Sequence, residues 1–162
     1  MQKSVKKKLP LTAEEYCNYY KICDALPFAF TDIEMVFNEE KKAVDWIFRY
    51  GNEALATLEK LPLDKMIGSS FSSLFSNMDA KWLQVYERAT LYGETLEIMD
   101  YSPEIDTNLK IICFPTFPGH CGCILFNADK MKSISEKNHL VRLVEVSMKS
   151  NSSNNKCRFT AY

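Results

Sequence analysis

An α+β domain is predicted for this 162-residue chain, with a five-stranded antiparallel sheet and helices folded over one face. Three observations predict it. Residues 28–37 and 44–50 alternate like strands, a broken helical stretch follows, and three more strand-like segments close residues 28–129. Such a half-barrel has an interior that can hold a small molecule or transmit strain, and nothing in it requires catalytic chemistry.

In the first strand Ala29, Thr31, Ile33, Met35 and Phe37 share one face, and Phe28, Phe30, Asp32, Glu34 and Val36 the other. The polar run Asn38-Glu39-Glu40-Lys41-Lys42 turns the chain. In the second strand Val44, Trp46, Phe48 and Tyr50 alternate with Asp45, Ile47 and Arg49. Aromatic and β-branched side chains suit a pleated, half-buried surface. Asn52 follows Gly51 as the N-cap of a short helix, Glu53-Ala54-Leu55-Ala56.

Pro62 and Gly68-Ser69-Ser70 break the middle segment into short helices, one of them Phe71-Ser72-Ser73-Leu74-Phe75. A longer helix then runs between Asp79 at its N-terminal cap and Gly93 at its C-terminal cap. Trp82, Val85, Tyr86, Ala89 and Tyr92 form its apolar stripe. Strands are expected over 95–101, 109–117 and 121–127, joined through Ser102-Pro103-Glu104 and Pro118-Gly119-His120.

Composition fits one small core: 46% of residues are hydrophobic and 12% aromatic. Twenty basic and 21 acidic residues leave a net charge of −1, which argues against nucleic-acid binding driven by bulk charge. No apolar run reaches membrane-spanning length. Lys3, Lys6, Lys7 and Lys8 precede no apolar segment, so they read as a solvated basic leader rather than a secretory signal. Six cysteines without an export signal point to free thiols in a reducing, cytoplasmic compartment. Cys121 and Cys123 share one strand face, but the further ligands of a tetrahedral zinc site are missing, so packing is the favoured role and no metal is expected.

Two flanking helices complete the expected layout. The first, within residues 1–27, starts at Thr12 with Glu15 completing a capping box. Its apolar face carries Tyr16, Tyr19, Tyr20, Cys23 and Leu26. Tyrosines suit a surface buried at one edge and wet at the other. The face either covers its own sheet or meets a second copy, with Tyr16, Tyr19, Tyr20 and Cys23 as the candidate dimer contact. A second helix is expected over 130–149, where Ile134, Val141 and Met148 repeat at seven. Residues 150–162 read as a linker-like tail.

The stretch Asp45-Trp46-Ile47-Phe48-Arg49-Tyr50-Gly51-Asn52-Glu53-Ala54-Leu55 resembles the second strand and Asn-x-Ala turn of PAS domains. Leu63-Asp64-Lys65-Met66-Ile67-Gly68, with Phe71 and Leu74-Phe75 after it, is similar to the helix entry of that family. Met99-Asp100-Tyr101-Ser102-Pro103-Glu104, Leu109-Lys110-Ile111 and the turn at Gly119 resemble its last three strands. The final strand of the family usually ends in Asp-hydrophobic-Thr, and here Asn127-Ala128-Asp129 departs from that. The resemblance covers about 100 residues, the size of one small domain. It implies a bacterial sensory module that pairs through its N-terminal helix and passes a signal through the helix leaving the last strand. Arg158-Phe159-Thr160-Ala161-Tyr162 resembles the approach to a GGDEF (diguanylate cyclase) domain, which implies an output domain beyond.

The family resemblance also bears on cofactors. A flavin-photoadduct PAS domain needs a cysteine in the broken-helix region, and residues 55–92 hold none; Cys157-Arg158-Phe159 matches the motif but lies in the tail. Haem ligation needs a histidine from the helices, whereas His120 falls in a turn and His139 in the second flanking helix; Met66, Met78 or a tyrosine are the remaining ligand types. The resemblance thus speaks against a flavin photoadduct and against haem, and the cofactor is otherwise left open. The expected pocket for a small apolar or aromatic ligand draws on Phe30, Trp46, Phe48, Met66, Phe71, Trp82, Tyr86, Cys113 and Cys123. A dimerisation module without ligand is the alternative. A small cavity enzyme comes third, since it needs a buried carboxylate with a raised pKa, and Asp45 and Asp100 read as surface residues.

Overall fold

The structure is a computed structural model that describes residues 9–76 and 79–130. The chain divides into two compact units, Met1–Ala128 and Asp129–Tyr162, and the fold below is that of the first. The expected helix over 130–149 beyond its first residue, the tail, the basic leader and Met78 lie outside the described residues.

Helix α1 (Ala13–Tyr19) begins where its capping box dictates. The Thr12 side chain accepts from the Glu15 backbone N–H, and the Glu15 carboxylate accepts from the Thr12 N–H at 2.8 Å. A 3-10 turn, Lys21–Ala25, leads into strands β1 (Ala29–Phe37) and β2 (Ala43–Gly51). Four helices follow: α2 (Glu53–Glu59), α3 (Leu63–Met66), α4 (Phe71–Leu74) and α5 (Ala80–Tyr92). Strands β3 (Leu96–Ser102), β4 (Thr107–Pro115) and β5 (His120–Asn127) close the unit.

The strands pair antiparallel throughout, in the order β2-β1-β5-β4-β3. The chain therefore leaves one edge at β2, crosses through the helices to β3 at the other edge, and works back to put β5 in the middle. Asp79 caps α5 by accepting from the Lys81 N–H, and Gly93 ends it at φ +67°, a left-handed conformation that costs glycine little. Both caps are where the sequence predicts them.

Each sheet face carries its own core. On the helix side, Ala29, Ile33, Met35, Leu109, Ile111, Cys113, Cys121, Cys123 and Leu125 pack against Leu55, Met66, Phe71, Trp82, Tyr86 and Ala89. On the other side Phe30 and Tyr50 pack against Leu11, Tyr16 and Tyr20, with Phe114, Phe117 and Ile124 around them. Strict alternation along β5 divides Cys121, Cys123 and Leu125 from His120 and Ile124. Full burial of each large apolar side chain contributes roughly 1.5–3 kcal/mol.

Two expectations about facing are corrected. Phe30 lies on the α1 side and not in the helix-side interior, because it alternates with Ala29. Tyr50 does not share a face with Trp46 and Phe48. The register steps from Asp32 opposite Tyr50 to Ile33 opposite Phe48, which leaves Arg49 as an extra residue in β2. A bulge of this kind turns everything beyond it to the opposite face. A second register shift, where Phe37 pairs with Ala43 and Val36 with Asp45, leaves Val44 45% exposed. Strand β4 begins two residues earlier than expected, since Thr107 pairs with Ser102 across the turn 103–106.

Candidate functional site

A partly open chamber of about 20 Å³ enters the helix-side core, lined in part by Trp46, Phe71, Trp82 and Tyr86. That volume holds about one water molecule. Three polar residues enter the apolar lining: Glu59, Ser102 and Glu104. Glu59 ends α2, four residues after the fully buried Leu55, and the helical repeat turns both side chains inward. Ser102 and Glu104 come from the end of β3 and the turn after it. The Ser102 hydroxyl donates to Glu104 Oε2, and Glu104 Oε1 is buried without a hydrogen-bond partner.

Glu59 is 9% exposed, and no described residue hydrogen-bonds to its carboxyl group. Burial, then the neighbouring charge of Glu104, raises its pKa to about 7. Burial also holds the Tyr86 phenol neutral, well above its usual value. Lys81 Nζ sits 5.0 Å from the Trp82 ring centroid. That ammonium is already engaged, with Tyr101 O at 2.7 Å, Asp79 at 3.2 Å and Asp100 at 3.3 Å.

A second buried polar group lies across the sheet, beneath α1. Asp32 of β1 accepts from the Tyr20 hydroxyl through Oδ2, and its Oδ1 lies 2.7 Å from His120 Nδ1 of β5. Asp32 and His120 are 0% and 2% exposed. Tyr16 covers the imidazole at 6.0 Å between ring centroids. Burial, followed by the Asp32 charge, raises the Tyr20 pKa, so this phenol stays a donor. Tyr50 donates to Asp24 at 2.6 Å, and Asn52 donates to Cys23 O at 3.1 Å and Phe28 O at 2.9 Å. These bonds bind the α1 region to the sheet.

Of the residues expected to line a pocket, Trp46, Phe71, Trp82 and Tyr86 do line the chamber. Phe48, Met66, Cys113 and Cys123 are fully or nearly fully buried in the same core without lining it, and Phe30 is across the sheet. Cys121 and Cys123 place their sulfurs 3.9 Å apart as free thiols, and burial pushes Cys113 up to about 12. Among the described residues no group of three or more His, Cys, Asp or Glu side chains is arranged to hold a metal ion.

Of the expected dimer contact, Tyr16 and Tyr20 are buried against their own sheet, Cys23 is half-buried, and Tyr19 is 64% exposed. Ile22 stands out further, at 85% exposure. An open groove of about 770 Å³ adjoins Tyr19, with Leu9, Leu11, Phe117 and Pro118 in its lining. Asp45 and Asp100 are local partners: Asp45 bonds to Ser72, and Asp100 pairs with Lys81.

Glu59, Glu104, Asp32 and His120 were not expected at a site. The legible signals were the four-residue spacing of Glu59 from Leu55 and the strand alternation of Asp32 with Ile33. His120 gave none, because its turn position suggested exposure. No described helix is long and apolar enough to cross a membrane. No protein-family model matches the chain, and no curated protein sequence matches it.

Proposed function

We propose that this chain is a sensory or regulatory module of the PAS kind, acting in signal transduction ahead of an output domain such as a diguanylate cyclase. The observation that carries the reading is the Glu59 chamber, which opens between the helices and a sheet whose opposite face carries α1. Leu125 lines the chamber, while Ile124 and His120 of the same strand face α1. A change in chamber occupancy or charge therefore acts on strands that also hold α1. The mechanism is a population shift between packings of helices and sheet, by as much as the occupant's affinity differs between them.

Output would pass through a second copy of the chain. Tyr19 and Ile22 are the exposed apolar residues of the α1 region, and a partner copy would cover them. The chamber is far below the several hundred Å³ of a drug-sized ligand site, which favours a small signal over a bulky cofactor. Glu59 does meet the requirement of a cavity enzyme for a carboxylate with a pKa of about 7, but that reading also needs room for a substrate beside it.

Native mass spectrometry, beside the same sample denatured, tests the proposal. A small mass lost on denaturation supports it, whereas a dimer without added mass favours a dimerisation module without ligand. A clean monomer without added mass counts against both the sensory and the pairing role. Tyr19→Glu with Ile22→Lys is expected to turn a dimer into a monomer without unfolding it.

A further inference from the structure

The chamber combines features that point to one class of ligand. Two carboxylates, Glu59 and Glu104, enter a space the size of one water molecule, and Glu104 Oε1 is buried there without a hydrogen-bond partner. Glu59 is about nine-tenths buried. An uncompensated charge in such a place is costly, so a proton or a cation must accompany it. Two neighbouring carboxylates favour a cation over a neutral or anionic occupant. Trp46 packs on Phe71 with centroids 4.2 Å apart and meets Tyr86 edge-on at 5.1 Å.

We infer that the chamber is a binding site for the primary ammonium group of a small amine. An ammonium group is about as large as water and carries three donors, and the partly open mouth of the chamber leaves the carbon part of the amine outside. Glu59, Glu104 Oε1 and the Ser102 hydroxyl oxygen offer three acceptors around the chamber. Lys81 does not fill this role, since Asp79, Asp100 and the Tyr101 carbonyl already hold its Nζ outside. This inference rests on the sensory reading of the chamber and names its ligand. Its failure would leave the pairing of two copies through Tyr19 and Ile22 untouched.

Charge linkage follows from the same geometry. Glu104 is the charged group that faces Glu59, and the Tyr86 phenol remains neutral. An ammonium ion binds the ionised form of Glu59 and competes with its proton. With a pKa of about 7, Glu59 is about one-tenth ionised at pH 6 and about nine-tenths at pH 8. Amine affinity is therefore expected to be roughly tenfold higher at pH 8 than at pH 6.

The two tryptophans of the chain, Trp46 and Trp82, both line the chamber, so their fluorescence reports on it. The test is a titration of the full chain with methylammonium chloride at pH 8, with sodium chloride at equal ionic strength as reference. A saturable change specific to methylammonium is expected, weakened at least tenfold in Glu59→Gln and several-fold in Ser102→Ala. Thermal melts of both variants establish that they are folded. A response equal to that in sodium chloride, or one that Glu59→Gln keeps in full, would overturn the inference and leave a chamber that holds only water.

Discussion

Asp32 Oδ1 and His120 Nδ1 lie 2.7 Å apart, on neighbouring strands and out of solvent, and the Tyr20 hydroxyl of the α1 region closes on the other carboxylate oxygen. One carboxylate thus joins two central strands to the segment that covers them. Asp32→Ala leaves the imidazole and the phenol without their acceptor, and the expected cost is about 1–3 kcal/mol for each group left unpaired. Tyr20→Phe removes one bond to a charged group and should cost about 1.5–3 kcal/mol. Urea unfolding of the two variants checks the order, Asp32→Ala being the more destabilised.

Glu59 makes stability depend on pH in a stated direction. Its folded pKa of about 7 lies above its ordinary value of 4.5. Below about pH 4.5 both folded and unfolded states keep the proton, and the group costs nothing. As pH rises from there the unfolded chain ionises first, so stability falls until pH 7 and then levels. The total loss is on the order of 3 kcal/mol. Glu59→Gln should be more stable than the parent at pH 8, nearly equal to it at pH 4.5, and flatter between. Equal melting temperatures at pH 8 would contradict this.

Asn52 ties three segments together. Its Oδ1 accepts from Phe30 N at 3.1 Å and Leu55 N at 3.0 Å, while its Nδ2 donates to the Cys23 and Phe28 carbonyls. Asn52→Ala removes a helix cap and leaves buried backbone groups unpaired, at an expected cost of roughly 2–4 kcal/mol. Asn52→Asp keeps the acceptor and loses both donors. Chemical denaturation should rank the parent first and Asn52→Ala last.

Gly122 faces the α1 side, where an added Cβ would lie 2.8 Å from Phe114 Cζ and 3.0 Å from Thr116 Cγ2. Gly122→Ala must push the Phe114 ring out of its stack with Phe30, whose centroid lies 6.3 Å away. The expected loss is about 1–3 kcal/mol, visible as a lower melting temperature.

Much of the fold was legible because it follows from local periodicity. The strands, the broken helices between them, and the caps Thr12, Asn52, Asp79 and Gly93 each have a sequence signal that tertiary contacts did not override. The bulge at Arg49 was not legible, since one inserted residue leaves the composition of β2 unchanged while moving Tyr50 across the sheet. The aromatic walls of the candidate site were readable as helix and strand stripes. Its chemistry was not, because Glu59 looks like an ordinary helix-end residue until the turn carrying Glu104 covers it.

The central claim is that the chamber and α1 communicate through the sheet. Hydrogen–deuterium exchange of the full chain at pH 8, comparing the parent with Glu59→Gln, tests it most directly. The account predicts altered protection both around α2 and the 103–106 turn and in α1 with its following 3-10 turn. A change confined to the chamber side, with α1 exchange unaltered, would contradict the account.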